Sequence, residues 1–229
     1  MKSKKSKLLK IVLLAGVMLL SLVILARLTG ALQFYRAATP ANEPNIKVGS
    51  YFLTSNLKKP KRFDFLCYRT YVPVTGRVET SIYRVCGTGG DKVALKNGIL
   101  FINDVLADSG LSLRHLYRAA TNDVDQLIAE KIVEEGSVIE RSTDSSLVLL
   151  DDRWVRVNKF QANRFMVNDN NSEIVSRFSS PWTTDNFGPA KVPVNHFFLL
   201  GDSRHNAYDS RFRGFVSIDS IIGTVVWRE

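Results

Sequence analysis

The most apolar part of the chain is its beginning. Behind "MKSKKSK" the sequence runs "LLKIVLLAGVMLLSLVILARL", and from Ile11 to Ala26 no residue is charged. Such a run approaches one bilayer crossing; Leu8, Leu9 and the flank to about Phe34 lengthen it, and Lys10 and Arg27 are placed to snorkel. A cleaved secretory signal has the same order of basic start and apolar core. The run is long for a signal core, however, and "ARLTGALQF" puts Arg27 and bulky side chains where a small-x-small cleavage site is needed. The pattern therefore predicts an uncleaved anchor over 8–33, with 1–7 as a basic cytoplasmic start.

From Lys47 the pattern changes to short apolar runs separated by turns: "GSYFLTS", "FDFLCYR", "SIYRVCG", "DKVALKNGILFIND", "SSLVLLD", "HFFLLGD" and "SIIGTVVW". These read as strands, and Asn97-Gly98 between two of them predicts a two-residue hairpin, whose turn positions both need positive φ. One stretch has helical spacing. In "TNDVDQLIAEKIVEEG", Val124, Leu127, Ile128 and Ile132 share a face, with Asn122 or Asp123 as cap and Gly136 as stop. The prediction is a mainly β body over 34–110 and 181–229, interrupted by an insertion of mixed α/β character over 111–180. Within the insertion, "NDNNSE" (168–173) reads as a solvated loop, because its acidic residues lack the spacing of a calcium loop.

Charge changes the picture only at the membrane. Lys2, Lys4, Lys5, Lys7 and Lys10 supply more than half of the net charge of +9, so the basic balance reports topology and gives nucleic acid little support as a partner. By the positive-inside rule the N-terminus stays in the cytoplasm and the body lies across the membrane. Cys67 and Cys86 fall in two neighbouring predicted strands of an exported domain, where a disulfide and two buried free thiols are both open. His115, His196 and His205 show no ligand spacing with each other or with the cysteines, so neither a metal nor a cofactor is expected.

Three stretches carry candidate chemistry: "TPANEPNIKVGSYFL" (39–53), "YRVCGTGGDKVALKNGILFIND" (83–104) and "FGPAKVPVNHFFLLGDSRHNAYDSRFRGFV" (187–216). Together they resemble type I signal peptidases, the membrane-anchored Ser/Lys proteases that remove signal peptides from exported proteins. The last stretch is similar to that family's Gly-Pro-x-x-Val-Pro segment followed by Gly-Asp-Asn-Arg-x-x-Ser-x-Asp-Ser-Arg-x-x-Gly. The middle one is similar to its Lys-Arg-x-x-Gly-x-x-Gly-Asp strand, and the first falls where its Ser-x-Ser-Met-x-Pro-Thr-Leu motif belongs. The resemblance implies a signal-peptidase-like antiparallel β domain.

Such an enzyme needs a hydroxyl nucleophile and a base that is neutral near pH 7, which desolvation makes of a buried lysine. Carried over by residue, the family's nucleophilic serine falls on Ala41, its base lysine on Tyr83 and the serine orienting that lysine on Ala207. Ala41 has no oxygen to acylate, a phenol of ordinary pKa near 10 is a poor base, and Ala207 orients nothing. Thr39 keeps a hydroxyl where the family uses one in its oxyanion hole; Ser50 and Ser203 are further oxygens without a matching base. The retained motif residues are Arg84, Gly201, Asp202, Arg204, Asp209, Ser210, Arg211 and Gly214, and the resemblance gives Asp209 and Arg211 the role of a supporting salt bridge. It also implies an apolar surface against the membrane, for which Tyr51 and Phe52 are the candidates.

The expected function is that of a catalytically inactive signal peptidase homologue of the bacterial cytoplasmic membrane, its main domain periplasmic in a two-membrane cell. Its expected partners are the membrane and extended peptides such as signal peptides, an active paralogue or another membrane complex. The competing readings are an active signal peptidase with a rearranged nucleophile, for which Thr39 is the first choice, and a purely structural subunit.

Overall fold

The computed structural model describes residues 2–72, 76–168 and 171–229, except the side chains of 2–6 and 8. Asp169 and Asn170 of the polar loop lie outside the described residues. In chain order the elements are α1 (Lys2–Leu28), β1 (Gln33–Arg36), β2 (Tyr51–Ser55), β3 (Phe65–Val72), β4 (Arg77–Thr88), β5 (Lys92–Lys96), β6 (Ile99–Ile102) and β7 (Val105–Leu106). There follow β8 (Arg114–Ala120), α2 (Thr121–Ala129), β9 (Val138–Arg141), β10 (Ser145–Asp151), α3 (Asp152–Asn158), β11 (Asn163–Arg164) and α4 (Ser172–Phe178). The chain closes with β12 (Phe187–Lys191), β13 (His196–Leu200), α5 (Ser210–Arg213), β14 (Val216–Ser217) and β15 (Ile221–Arg228). Single 3-10 turns cover Pro40–Asn42, Glu135–Ser137 and Ile218–Ser220.

Within α1, Leu9–Leu28 is long and apolar enough to cross a membrane, with a mean hydropathy of 2.7, and none of it packs on the body. The helix ends earlier than its apolar flank suggests. Gln33 and Phe34 belong to β1, because the register Gln33↔Thr54 through Arg36↔Tyr51 binds them to β2.

The body is mainly antiparallel β. A seven-stranded sheet runs β1-β2-β15-β3-β4-β13-β14, and two four-stranded sheets run β12-β5-β6-β7 and β11-β8-β10-β9. The β5–β6 turn has φ of 50° at Asn97 and 71° at Gly98, the positive pair that favours Asn-Gly. A Cβ on Gly98 would also lie 2.7 Å from the Arg164 guanidinium and 2.8 Å from the Asp185 carboxylate, so those side chains would have to shift to admit one.

Alternation along β4 sends neighbours to opposite faces. Tyr83 and Val85 join Leu66, Tyr68, Phe197 and Leu199 in one apolar cluster, while Cys86 joins Val93, Leu100 and Phe198 in another. Cys67 belongs to a third cluster, with Phe52 and Phe65. Both thiols are free and buried, and burial pushes each up to about 12.

The third sheet carries α2 and α3 and has a core of its own around Val124, Leu127, Val148 and Leu150. By contrast α4, although inside the 111–180 stretch, seats Ile174 in the cluster around Phe198. The helix read from "TNDVDQLIAEKIVEEG" is shorter than its periodicity: Ala120 occupies the cap position without a side-chain bond, and α2 ends at Ala129. Lys131 then takes a left-handed φ of 57°, so Ile132 leaves the helical face and Gly136 falls in a later 3-10 turn.

Candidate functional site

The three sequence stretches converge on the middle of β4, at Ile82–Arg84. Pro40–Asn42 curls into its 3-10 turn with Ala41 and Asn42 buried, and the Asn42 Nδ2 donates to the Ile82 carbonyl at 2.7 Å. The turn after β13 lies against it: the Ser203 amide donates to the Ala41 carbonyl at 3.0 Å. Gly201 is where everything meets. A Cβ there would lie 2.3 Å from Ala207 Cβ, 2.6 Å from the Ala41 carbonyl oxygen and 3.3 Å from a Tyr83 ring carbon, so only glycine permits this approach. Ala41, Tyr83 and Ala207, which are far apart in sequence, are thus brought together.

The chemistry of that place is apolar. Ala41 offers a buried methyl, and Tyr83 packs its ring 6.4 Å from that of Tyr68. The Tyr83 hydroxyl donates to the Tyr208 carbonyl at 3.2 Å. Burial, and after it the negative charge of Asp209, push the phenol up to about 12, so it stays neutral and acts as a donor throughout the physiological range. Thr39 is exposed and its hydroxyl does not cap the turn it precedes. Ser50 bonds the Lys47 carbonyl. Ser203 is fully buried with no partner for its hydroxyl among the described residues, out of reach of any substrate.

Two buried ion pairs frame this cluster. Arg84, pointing to the opposite face from Tyr83, grips Asp202 with Nε to Oδ1 at 2.7 Å and a second nitrogen to Oδ2 at 2.5 Å. Asn45 donates to the same carboxylate at 2.7 Å, so Asp202 ties all three stretches together. Arg211 and Asp209, neither exposed at all, pair at 2.9 and 2.8 Å. Asp209 also accepts from the Gly201 amide at 3.0 Å, and Arg211 donates to the carbonyls of Arg204 and Thr184. Ser210 accepts from the Leu199 amide, Arg204 pairs with Asp108, and Gly214 closes α5 at a φ of 85°.

Other contacts lie too far apart in sequence for spacing to reveal. Glu43 pairs with Arg114 across to the third sheet. The rings of His115 and His205 meet edge-on at 5.5 Å, each with its own carboxylate, Asp152 and Asp185. Burial draws His115 down to about 4 in spite of Asp152, so that imidazole is neutral near pH 7. Among the described residues no three metal-binding side chains cluster.

Phe52 is not a surface residue. Pairing of β2 with β1 and β15 turns it inward, at 3% exposure, and the outer face instead presents Phe34, Tyr51 and Trp227. Phe34 and Tyr51 stack at 5.0 Å beside the end of α1.

The sequence profile described as "Signal peptidase, peptidase S26" matches residues 8–228. The chain belongs to this family. Among curated relatives, the signal peptidase I of Aquifex aeolicus is 26% identical over 204 residues, 83% of this chain and 73% of that one. The signal peptidase I of Leptolyngbya laminosa is 52% identical over 42 residues, covering 18% of this chain and only 21% of the relative. A crystal structure of a signal peptidase I from Enterococcus faecalis aligns over 73% of this chain and 97% of its own, at 20% identity and a TM-score of 0.35.

Proposed function

We propose that this signal peptidase homologue is an anchored pseudoenzyme that binds extended peptides or a membrane protein partner in protein export and does not cut them. Its N-terminus stays in the cytoplasm, α1 remains uncleaved in the inner membrane, and the β body works on the far side. The observation that carries the reading is the meeting of Ala41, Tyr83 and Ala207 at Gly201. The three positions that would supply nucleophile, base and orienting hydroxyl share one site, and that site holds two methyl groups and a neutral phenol. Acyl transfer has no serine or threonine hydroxyl to start from there, and nothing to take the proton of the one phenol. The two ion pairs around it are the part of such a site that keeps its shape, and they remain.

The test is cleavage of a preprotein that an active signal peptidase processes, with the folded full-length protein in detergent or liposomes. No product is expected from the native chain, while Ala41→Ser, Tyr83→Lys and Ala207→Ser combined give product at the signal junction that none of them gives singly. Product from the native chain, lost in Thr39→Ala, would establish the rearranged nucleophile instead.

A further inference from the structure

We infer that a groove apart from the Ala41–Tyr83–Ala207 cluster binds a partner's peptide segment in which acidic side chains alternate with apolar ones. It lies between the loop after Asn42 and the third sheet, and its volume of about 640 Å³ is that of a ligand site. Glu43, Pro44 and Lys47 form one wall; the segment after α2, the end of β10 and α3 form the others.

Its apolar surface is exposed and held in place. Val157 on α3 is 68% exposed and Ile132 45%, and both line the groove beside the half-buried Trp154. The left-handed turn at Lys131 fixes Ile132 there, since the amides of both Ile132 and Val133 bond back to the Leu127 carbonyl. Large apolar side chains left open around a concavity and rimmed by charge mark a surface that another protein covers.

The charges select the partner. Arg114 is committed to Glu43, Ser137 and the Leu149 carbonyl, and Asp151 to the first amides of α3. Lys47, Lys131 and Arg153 line the groove, are exposed, and make no ion pair among the described residues; Glu134 is the one uncommitted acid facing them. Three free cations against one free anion steer an acidic segment in and repel a basic one. The wall is rigid as well: the Arg114 amide donates to the Asp202 carbonyl and the Arg204 amide to that of Arg114, which bolts the third sheet to the motif loop. The site stands whether or not the protein cuts peptides.

The probe is a fluorescein-labelled peptide of alternating glutamate and leucine, with alternating lysine and leucine as its counterpart, read by anisotropy on the full-length protein in detergent. The acidic probe binds saturably and at least about tenfold more tightly than the basic one. Lys131→Glu with Arg153→Glu reverses that preference, and Val157→Asp weakens the acidic probe about fivefold or more. All three positions are exposed, and unchanged circular dichroism and melting verify that each variant is folded. Equal binding of the two probes, no saturable binding, or affinities that the folded variants leave unchanged would overturn the inference.

Discussion

Tyr83→Lys puts an amine into the buried cluster, at the position the proposed function reads as that of the lost base, and the surroundings of Tyr83 set how it titrates. Tyr83 is only 8% exposed, and burial is the leading cause of its phenol moving from 10.0 to about 12. The same burial acts on an amine with the opposite sign, favouring its neutral form, while the Asp209 charge works against it; a net fall of roughly two units from the ordinary ~10.4 puts the amine at about 8. A shift of roughly two pH units corresponds to about 3 kcal/mol. The folded pKa then lies below the unfolded one, so the unfolded chain holds the extra proton between about pH 8 and ~10.4. The variant is accordingly least stable below about pH 8, recovers across that window, and regains the whole amount above it. Tyr83→Phe is the reference, because the native phenol titrates the other way and loses its contribution as pH climbs from 10 to about 12. Urea unfolding of both full-length variants in detergent, followed by fluorescence from about pH 7 to pH 10.5, gives the difference directly. A difference between the variants that changes by less than about 1 kcal/mol over that range would mean the amine reaches water and the cluster is not dry, refuting the argument.

Other perturbations test the frame. Asp209→Ala strands the buried Arg211 charge and frees the Gly201 amide; it should cost about 3–5 kcal/mol and lower the melting temperature by roughly 6–20 °C, as calorimetry would read. Ser203→Ala removes a buried hydroxyl without a partner among the described residues and should leave stability unchanged or raise it by about 1 kcal/mol; a loss of more than about 1 kcal/mol would mean the hydroxyl is satisfied in solution. Because Phe34, Tyr51 and Trp227 share the outer face beside α1, brominated lipids in a nanodisc should quench the native protein's tryptophan fluorescence. Trp227→Phe should abolish most of that quenching and Trp154→Phe little of it, and the reverse order would mean that this face does not touch the membrane.

Period and turn chemistry are local properties, and much that depends on them was legible in the sequence: the uncharged run within α1, the apolar runs that become strands, and the Asn97-Gly98 turn; β8 and the short helices α3 and α4 were not read from it. The family was legible too, from its motif residues. Helical spacing did not reveal that α2 stops at Ala129, because Lys131 spends its backbone on a left-handed turn that periodicity does not encode. Nor did apolar character separate Tyr51 from Phe52, since which of two neighbours faces outward is decided by the register of β2 between β1 and β15. The convergence of Ala41, Tyr83 and Ala207 on Gly201, the hold of Asp202 on Asn45 and Arg84, and the groove beside Ile132 and Val157 all join residues far apart in the chain. Long-range strand pairing and the close approach of backbones set those contacts, so the sequence determined which groups the protein has, and only the tertiary structure decided which of them meet.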